Sequence, residues 1–356
     1  MNIRKEMKVA DLFAGVGGLS QGFLKAGFEI AIAIEYDNEI ALSYKKNHPY
    51  TDVYASDICD LDFKEIHNKH PRIDVVVGGP PCQGFSQKGK RLSINDPRNF
   101  LFKQFIRFVE EFSPKYFVLE NVPNIITTEN GFFKDEIIHA FNDLGYDVCC
   151  GILRAVDFGV PQDRRRAVFI GQKGKLEVDF PKPNGIKNTV KDAISDLPII
   201  LSGEGKEKCE YDKEPESDLQ KDLRGDSVVL YNHVATKHNE TALRRMAMIP
   251  IGEGRKVLPE EERTKSIYSG TYCRLLENDV AATITTRFDT PSSGRFTHPI
   301  LNRCITTREA ARIQTFPDSF IFYGSKTSQM KQVGNAVPPY LAYAIAKEII
   351  KNELKY

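Results

Sequence analysis

The sequence predicts an α/β protein built on a parallel sheet, followed by a second, smaller and irregular domain. Two observations carry this expectation. Through the first half, apolar runs of strand length alternate with amphipathic helical stretches, the rhythm of βαβ units. After Gly171 the texture changes, with Pro181, Pro183 and Gly185 interrupting it. Strands are expected near 8–13, 28–34, 73–77, 116–119, 146–153 and 167–171. One helix is expected over 100–112, where Phe102, Phe105, Ile106 and Val109 repeat at helical spacing. Another is expected over 136–144, stopped by Gly145 as a C-cap. Residues 201–226 are polar and poor in apolar side chains, which predicts a loop or linker. Residues 231–302 show no βαβ rhythm and are taken as the irregular domain. Helices return at 307–314 and at 339–350, the latter opened by Pro338 and Pro339.

At 356 residues the chain is long enough to bury a full core. Lys plus Arg number 49 against 48 Asp plus Glu, a formal net charge of +1, so there is no global field to hold a polyanion. A nucleic acid would have to be met by a local patch. No run of about 18 apolar residues occurs and the N-terminus lacks a signal-peptide pattern, so a cytoplasmic protein without a membrane partner is expected. The seven cysteines never fall into CxxC or Cys/His spacing, so neither a disulfide framework nor a metal site is expected.

Four segments carry chemistry. In Asp11-Leu-Phe-Ala-Gly-Val-Gly-Gly-Leu-Ser20 a strand runs into a glycine-rich turn and then a helix, which lets backbone approach a ligand at the head of the sheet. A dinucleotide fingerprint would want glycine at position 20, where serine stands, and a tight turn without a ligand is the plainer alternative. Glu35 closes the second strand, where a carboxylate can accept both ribose hydroxyls, and Asp57, in Ser56-Asp57-Ile58, follows the third. Both fit an adenosine-bearing cofactor; Tyr36 could stack on its adenine or simply pack. In Gly78-Gly-Pro-Pro-Cys82-Gln-Gly-Phe-Ser86 a cysteine follows a parallel strand at its carboxyl end, with two prolines making the approach rigid. A buried inert thiol needs no such setting. In Phe117-Val-Leu-Glu120-Asn-Val-Pro-Asn124 an apolar strand ends in a carboxylate. In Gln162-Asp-Arg164-Arg-Arg166 three adjacent arginines precede a strand; a solvated charge run is one reading, contacts to phosphate or a pyrimidine carbonyl another.

The ordered set DLFAGVGGLS, GGPPCQGFS, FVLENVPN, QDRRR, REAARIQTFPDSF and QVGNAVPP resembles the DNA (cytosine-5) methyltransferases, in that family's motif order and over nearly the whole chain. Only about 186–302 lies outside it, where the family keeps its variable target-recognition region. The resemblance implies a Rossmann-like methyltransferase domain using S-adenosylmethionine, assigned to 1–185 plus 329–356, and a target-recognition domain over 186–328. Phe13, Gly15, Gly17, Glu35, Tyr36, Asp57, Ile58, Pro80 and Asn335 are then expected at the cofactor. Cys82, Glu120, Arg164 and Arg166 are expected as the catalytic group, Arg165 filling a position the family leaves free.

That chemistry explains the residue types. Cytosine C5 is too weak a nucleophile to take a methyl group from a sulfonium unaided. A thiolate adding to C6, with an acid at N3, pushes electrons toward C5. Cys82 would supply the first, its thiol acidified by nearby arginine or backbone N–H groups, and Glu120 the second, its pKa raised by partial burial. Arg166 would hold O2, and Arg164 would order the loop or meet a phosphate. The base must leave the duplex to be reached. Residues 83–98 suit a closing lid, with Ser86, Lys88 and Arg91 facing DNA. In the variable region Arg274, Thr285, Thr286 and Arg287 are expected at the DNA, since arginine pairs well with guanine edges. Double-stranded DNA is the expected partner of a monomeric enzyme from a bacterial or viral restriction-modification system, with a cognate endonuclease acting on the same site. An RNA methyltransferase of the same family is the nearest rival. A nicotinamide oxidoreductase would leave Pro80-Pro81-Cys82 and the arginines without a role.

Overall fold

A computed structural model describes residues 6–81, 100–264 and 270–355. The chain packs as two compact units. The first comprises 1–154, 165–183 and 339–356, the second 155–164 and 184–338. Packing therefore places 155–164 and 329–338 with the second unit, although the division expected by function assigns both to the catalytic domain.

The strands are β1 (Lys8–Leu12), β2 (Glu29–Glu35), β3 (Asp52–Ala55), β4 (Val75–Gly78), β5 (Tyr116–Asn121) and β6 (Tyr146–Arg154). The two-residue β7 (Gln162–Asp163) follows, belonging to the second unit, and then β8 (Arg165–Lys173). The first unit is a seven-stranded sheet in the order β3-β2-β1-β4-β5-β8-β6. The pairs from β3 through β5 are parallel, as expected from the βαβ rhythm. In contrast to an all-parallel sheet, β8 runs antiparallel to both β5 and β6. The link from β6 to β8 contains no helix beyond a short turn and is too brief for a parallel crossover.

Helices α1 (Gly18–Lys25), α2 (Asn38–Asn47), α3 (Phe63–Lys69), α4 (Phe100–Phe112), α5 (Asn124–Thr127) and α6 (Phe132–Asn142) connect the strands. The expected helix over 100–112 is found with those bounds, because its phenylalanines pack inward: Phe102, Phe105 and Phe108 are all fully buried, together with Phe117 of β5 and Phe141 of α6. The C-terminal helix Pro339–Glu353 returns to the same unit, where Tyr116 Oη donates to Glu353 Oε1 (2.5 Å) and accepts from Asn352 Nδ2 (3.0 Å).

The second unit holds α7 (Val190–Ile194), β9 (Gly205–Glu210), α8 (Asp218–Arg224), β10 (Val229–Val234), α9 (Glu240–Met248), β11 (Ala281–Ala282), α10 (Thr307–Ile313) and α11 (Lys326–Asn335). The expectation of a loop over 201–226 is corrected. This stretch contains β9, which pairs antiparallel with β10, and α8, closed at its start by a capping box of Ser217 and Gln220. Apart from Cys209, every β9 side chain is exposed, so this strand is built by backbone pairing and carries no apolar pattern to read.

Candidate active site

In a doubly wound sheet, ligands gather at the carboxyl edge where the strand order reverses. Here the reversal lies at β1, which pairs with β2 on one side and β4 on the other. The sheet order places Asp57 after β3, Glu35 at the end of β2, Phe13 and Gly15 after β1, Gly79 and Pro80 after β4, and Glu120 near the end of β5 along one edge. Because β8 is antiparallel, its beginning lies at that same edge. This brings Arg166, near the start of β8, beside Glu120, whose partner in the sheet is Val168, two residues further along β8 and therefore on the same face as Arg166.

Both oxygens of the Glu35 carboxylate are fixed by backbone donors, Oε2 by Gly15 N–H (2.8 Å) and Oε1 by Asp37 N–H (2.8 Å). Burial raises its pKa against these hydrogen bonds. Tyr36 beside it is 73% exposed, a bare aromatic face at the edge. Phe13 and Gly15 take positive φ (55° each), and Gly17, at 96°, caps α1. A Cβ at Gly15 would meet nothing within 4 Å, whereas one at Gly17 would strike His48 Cε1 at 2.6 Å, so the turn is open on one side and packed on the other. Asp57 accepts from Cys59 N–H (2.9 Å) and caps the short turn Ile58–Asp60, with the Ile58 side chain inside the core.

Beneath the turn lies a buried polar chain with no counterpart in the sequence reading. Ser20 Oγ donates to Asp11 Oδ2 (2.6 Å) and lies 2.6 Å from Tyr44 Oη, which therefore donates to it. Burial pushes the Asp11 carboxyl up to about 8. The chain ties β1, α1 and α2 together under the glycines.

Glu120 Oε1 and Arg166 Nε form an ion pair at 2.6 Å, both side chains largely buried. A Cβ on Gly79 would lie 2.8 Å from Glu120 Oε2, so glycine there lets the carboxylate rest against the main chain leading to Cys82. Asn121, also missed by sequence reasoning, donates from Nδ2 to the Pro80 carbonyl (2.8 Å) and accepts from Val122 N–H (2.9 Å), pinning the same segment. Its place in Glu120-Asn121-Val122-Pro123 was the available signal. Cys82, Ser86, Lys88 and Arg91 lie outside the described residues. Arg165 is exposed, paired in the sheet with Arg154.

The remaining expected site residues belong to the second unit. Thr285 and Arg287 are exposed and Thr286 partly so; Asn335, the last residue of α11, is exposed. Arg274 is not presented to a ligand, which corrects its expected place at the DNA. It is buried, and its guanidinium donates to the carbonyls of Met246 (2.9 Å), Ile249 (3.3 Å), His298 (3.1 Å) and Leu301 (2.8 Å) and to Asn302 Oδ1. A cation buried this way is an anchor for the loops around it. Arg164 is likewise 1% exposed and donates to the carbonyls of Ile284 (3.1 Å) and Gly334 (3.0 Å), so of the two roles expected for it the structure supports loop ordering, not contact with a phosphate. Among the described residues no group of three or more His, Cys, Asp or Glu could hold a metal ion, and no helix is long and apolar enough to cross a membrane.

The model of the C-5 cytosine-specific DNA methylase family matches residues 7–351. The chain is 40% identical to the Type II methyltransferase M.DdeI of Desulfomicrobium norvegicum, over 96% of this chain and 88% of that one. It is also 40% identical to the Type II methyltransferase M1.HphI of Haemophilus parahaemolyticus, over 96% and 86%. Among solved structures, a prophage-encoded E. coli protein designated a DNA modification methyltransferase superposes with a TM-score of 0.81 at 30% identity, over 99% of this chain and all of that one. The S. pombe Dnmt2 methyltransferase, at 18% identity, shares the fold with a TM-score of 0.62, covering 99% of this chain and all of that one. With this match running almost from end to end over the edge just described, the chain belongs to the C-5 cytosine-specific DNA methylase family.

Proposed function

We propose that this protein transfers a methyl group to C5 of a cytosine turned out of double-stranded DNA, through a transient bond between Cys82 and C6, as the modification enzyme of a Type II restriction-modification system. The observation that carries this reading is the Glu120–Arg166 pair set against Gly79, on the strand edge that leads directly into Cys82. A carboxyl group and a guanidinium side by side are what a pyrimidine's N3 and O2 require: Glu120 places a proton at N3 and Arg166 donates to O2. Electron density drawn to that side makes C6 open to the Cys82 thiolate, and the new S–C6 bond leaves C5 nucleophilic. After the methyl group is in place, a base removes the C5 proton, the C5–C6 double bond re-forms and the thiolate departs. Extrusion of the base costs about a few kcal/mol, which contacts of the protein with the opened duplex offset.

The edge residues fit S-adenosylmethionine. Gly15 leaves open space over the turn, Tyr36 offers an uncovered ring for an adenine, and the Glu35 and Asp57 carboxylates stand at adjacent strand ends for hydroxyl groups. Phe13, Gly17, Ile58, Pro80 and Asn335 complete the proposed set. When bound, this cofactor supplies an electrophilic methyl group. In the DNA-facing set, Thr285, Thr286 and Arg287 are proposed to read the site, with Ser86, Lys88 and Arg91 at the phosphates. The enzyme works as a cytoplasmic monomer, beside an endonuclease of the same specificity that it does not contact. The functional division places catalysis in 1–185 plus 329–356 and target recognition in 186–328.

The test is methylation of plasmid DNA followed by base-resolution mapping of methylcytosine, which reveals the target. A duplex with 5-fluorocytosine at that position should trap a covalent adduct with the wild type and none with Cys82→Ala, because fluorine cannot leave as a proton does. An adduct that persists in the variant makes another residue the nucleophile and overturns the reading.

A further inference from the structure

Three buried side chains of the second unit make a continuous bracket from β7 to the end of α11. Gln162 Oε1 accepts the Ile284 N–H (2.8 Å), and Gln162 Nε2 donates to Gln314 Oε1 (2.9 Å). Gln314 Nε2 in turn donates to the Val333 carbonyl (2.8 Å). Arg164 closes the bracket, donating to the Ile284 carbonyl and to the Gly334 carbonyl. Gln162 and Gln314 are fully buried and Arg164 is 1% exposed.

The arrangement has a physical logic. The last carbonyls of a helix lack intrahelical donors and carry the negative end of its dipole. Val333 and Gly334 sit in the last turn of α11, and a glutamine and a cation satisfy them. The same cation and the other glutamine take both backbone groups of Ile284, so the strand β11 is locked to β7 beyond its own two pairs, with Thr283 Oγ1 donating to the Asp163 carbonyl (2.8 Å). The next residues are Thr285, Thr286 and Arg287. A Cβ on Gly334 would lie 2.5 Å from Thr285 C and O and 2.7 Å from Thr286 N, so the α11 end is pressed directly on that main chain.

We infer that Gln162, Arg164 and Gln314 are positioning residues that fix the Thr285–Arg287 main chain against the end of α11 and thereby set sequence discrimination. This rests on the proposed role of Thr285–Arg287 at the DNA. Arg164 acts through the loop, by the Ile284 and Gly334 carbonyls it holds.

The experiment compares wild type, Arg164→Ala, Arg164→Lys and Gly334→Ala on duplexes carrying the mapped target and on duplexes with one base pair changed, with kcat and KM for DNA measured on each and thermal unfolding followed in parallel. Loss of a buried, charge-assisted hydrogen-bond pair predicts that Arg164→Ala raises KM for DNA and lowers the target-to-changed-site ratio by about tenfold each, with kcat on the target moved less. Lysine, which reaches one carbonyl instead of two, should fall between. Gly334→Ala keeps every side chain of the bracket yet displaces Thr285 and Thr286, and should show the same loss of discrimination. If Arg164→Ala does not fold, Gly334→Ala decides. An unchanged ratio, or an equal fall in kcat on both duplexes with KM unmoved, overturns the inference. Adduct formation by the wild type on the 5-fluorocytosine duplex separates the two failures: an adduct with unchanged discrimination in the variants removes the bracket alone, and no adduct removes the underlying reading.

Discussion

In the first unit, the space between sheet and helices is filled by rings. Phe117 stacks on Phe141 at 3.9 Å between centroids, and Phe105 meets the edge of Phe141 at 6.1 Å. In the second unit, the largest fully buried side chains are arginines. Arg312 donates to Asp318 from Nε (2.7 Å) and Nη2 (2.6 Å), and to Asp196 from Nη1 (3.0 Å). Arg303 makes a two-point contact with Glu309 (2.7 and 2.8 Å), and Arg308 gives its donors to the carbonyls of Tyr231 (2.9 Å) and Phe320 (2.6 Å). Glu309 also caps α10 by accepting the Thr306 N–H (2.7 Å). One unit relies on periodic apolar surface; the other, whose helices and strands are short and separated by long irregular segments, also ties those segments together through fixed donors. The contrast shows that irregular segments can be tied to one another by buried cations and their acceptors in addition to apolar packing.

This contrast can be broken most directly at Arg312. Arg312→Ala leaves the Asp196 carboxylate buried without its cation and strips the two-point contact from Asp318, which retains Tyr211 Oη (2.5 Å) and Arg308 (3.5 Å), and should cost roughly 3–5 kcal/mol, read as a lowered denaturant midpoint. A cost no greater than that of a trimmed aliphatic in the first unit would refute the distinction. Next in size is Gly79→Ala. Its Cβ would fall 2.8 Å from Glu120 Oε2, and a displaced carboxylate should lower kcat by about tenfold to a hundredfold while unfolding is little changed. Wild-type turnover would show that Glu120 need not lie against this strand end.

The third test concerns Asp11, a polar exception in the first unit. Its folded carboxyl keeps the proton to about pH 8, against an ordinary value of 3.8 for an aspartate. Between those values the folded chain holds more protons than the unfolded one, so this group's contribution to stability declines as pH rises through the window. Asp11→Asn should flatten that part of the stability profile; an unaltered slope between pH 4 and 8 would contradict it. The smallest effect is expected for Ile137→Val, a methylene removed from the apolar core, at about 0.5–1.5 kcal/mol.

The first unit was largely legible because its physics is local. Phenylalanines at helical spacing gave the helix over 100–112, and apolar runs closed by Glu35 and Glu120 gave strands whose ends carry carboxylates. The second unit was read poorly for the converse reason. The β9 strand has charged, exposed side chains, and the anchoring role of Arg274 depends on carbonyls more than twenty residues away in the chain.

By itself the sequence determined the family, the strand–turn–helix at Asp11–Ser20 and the order of the polar groups along the chain, since motif spacing and periodicity are properties of neighbours. The resemblance set Arg166 apart from Arg164 but left Arg164 between two roles; only the tertiary structure decided what each side chain touches. Reversal of β8 puts Arg166 beside Glu120, while Arg164, two residues earlier, is turned into the interior of the other unit to hold Ile284 and Gly334. Two arginines separated by a single residue look alike to composition and periodicity. A strand's direction and the carbonyls left over at a helix end are what tell them apart.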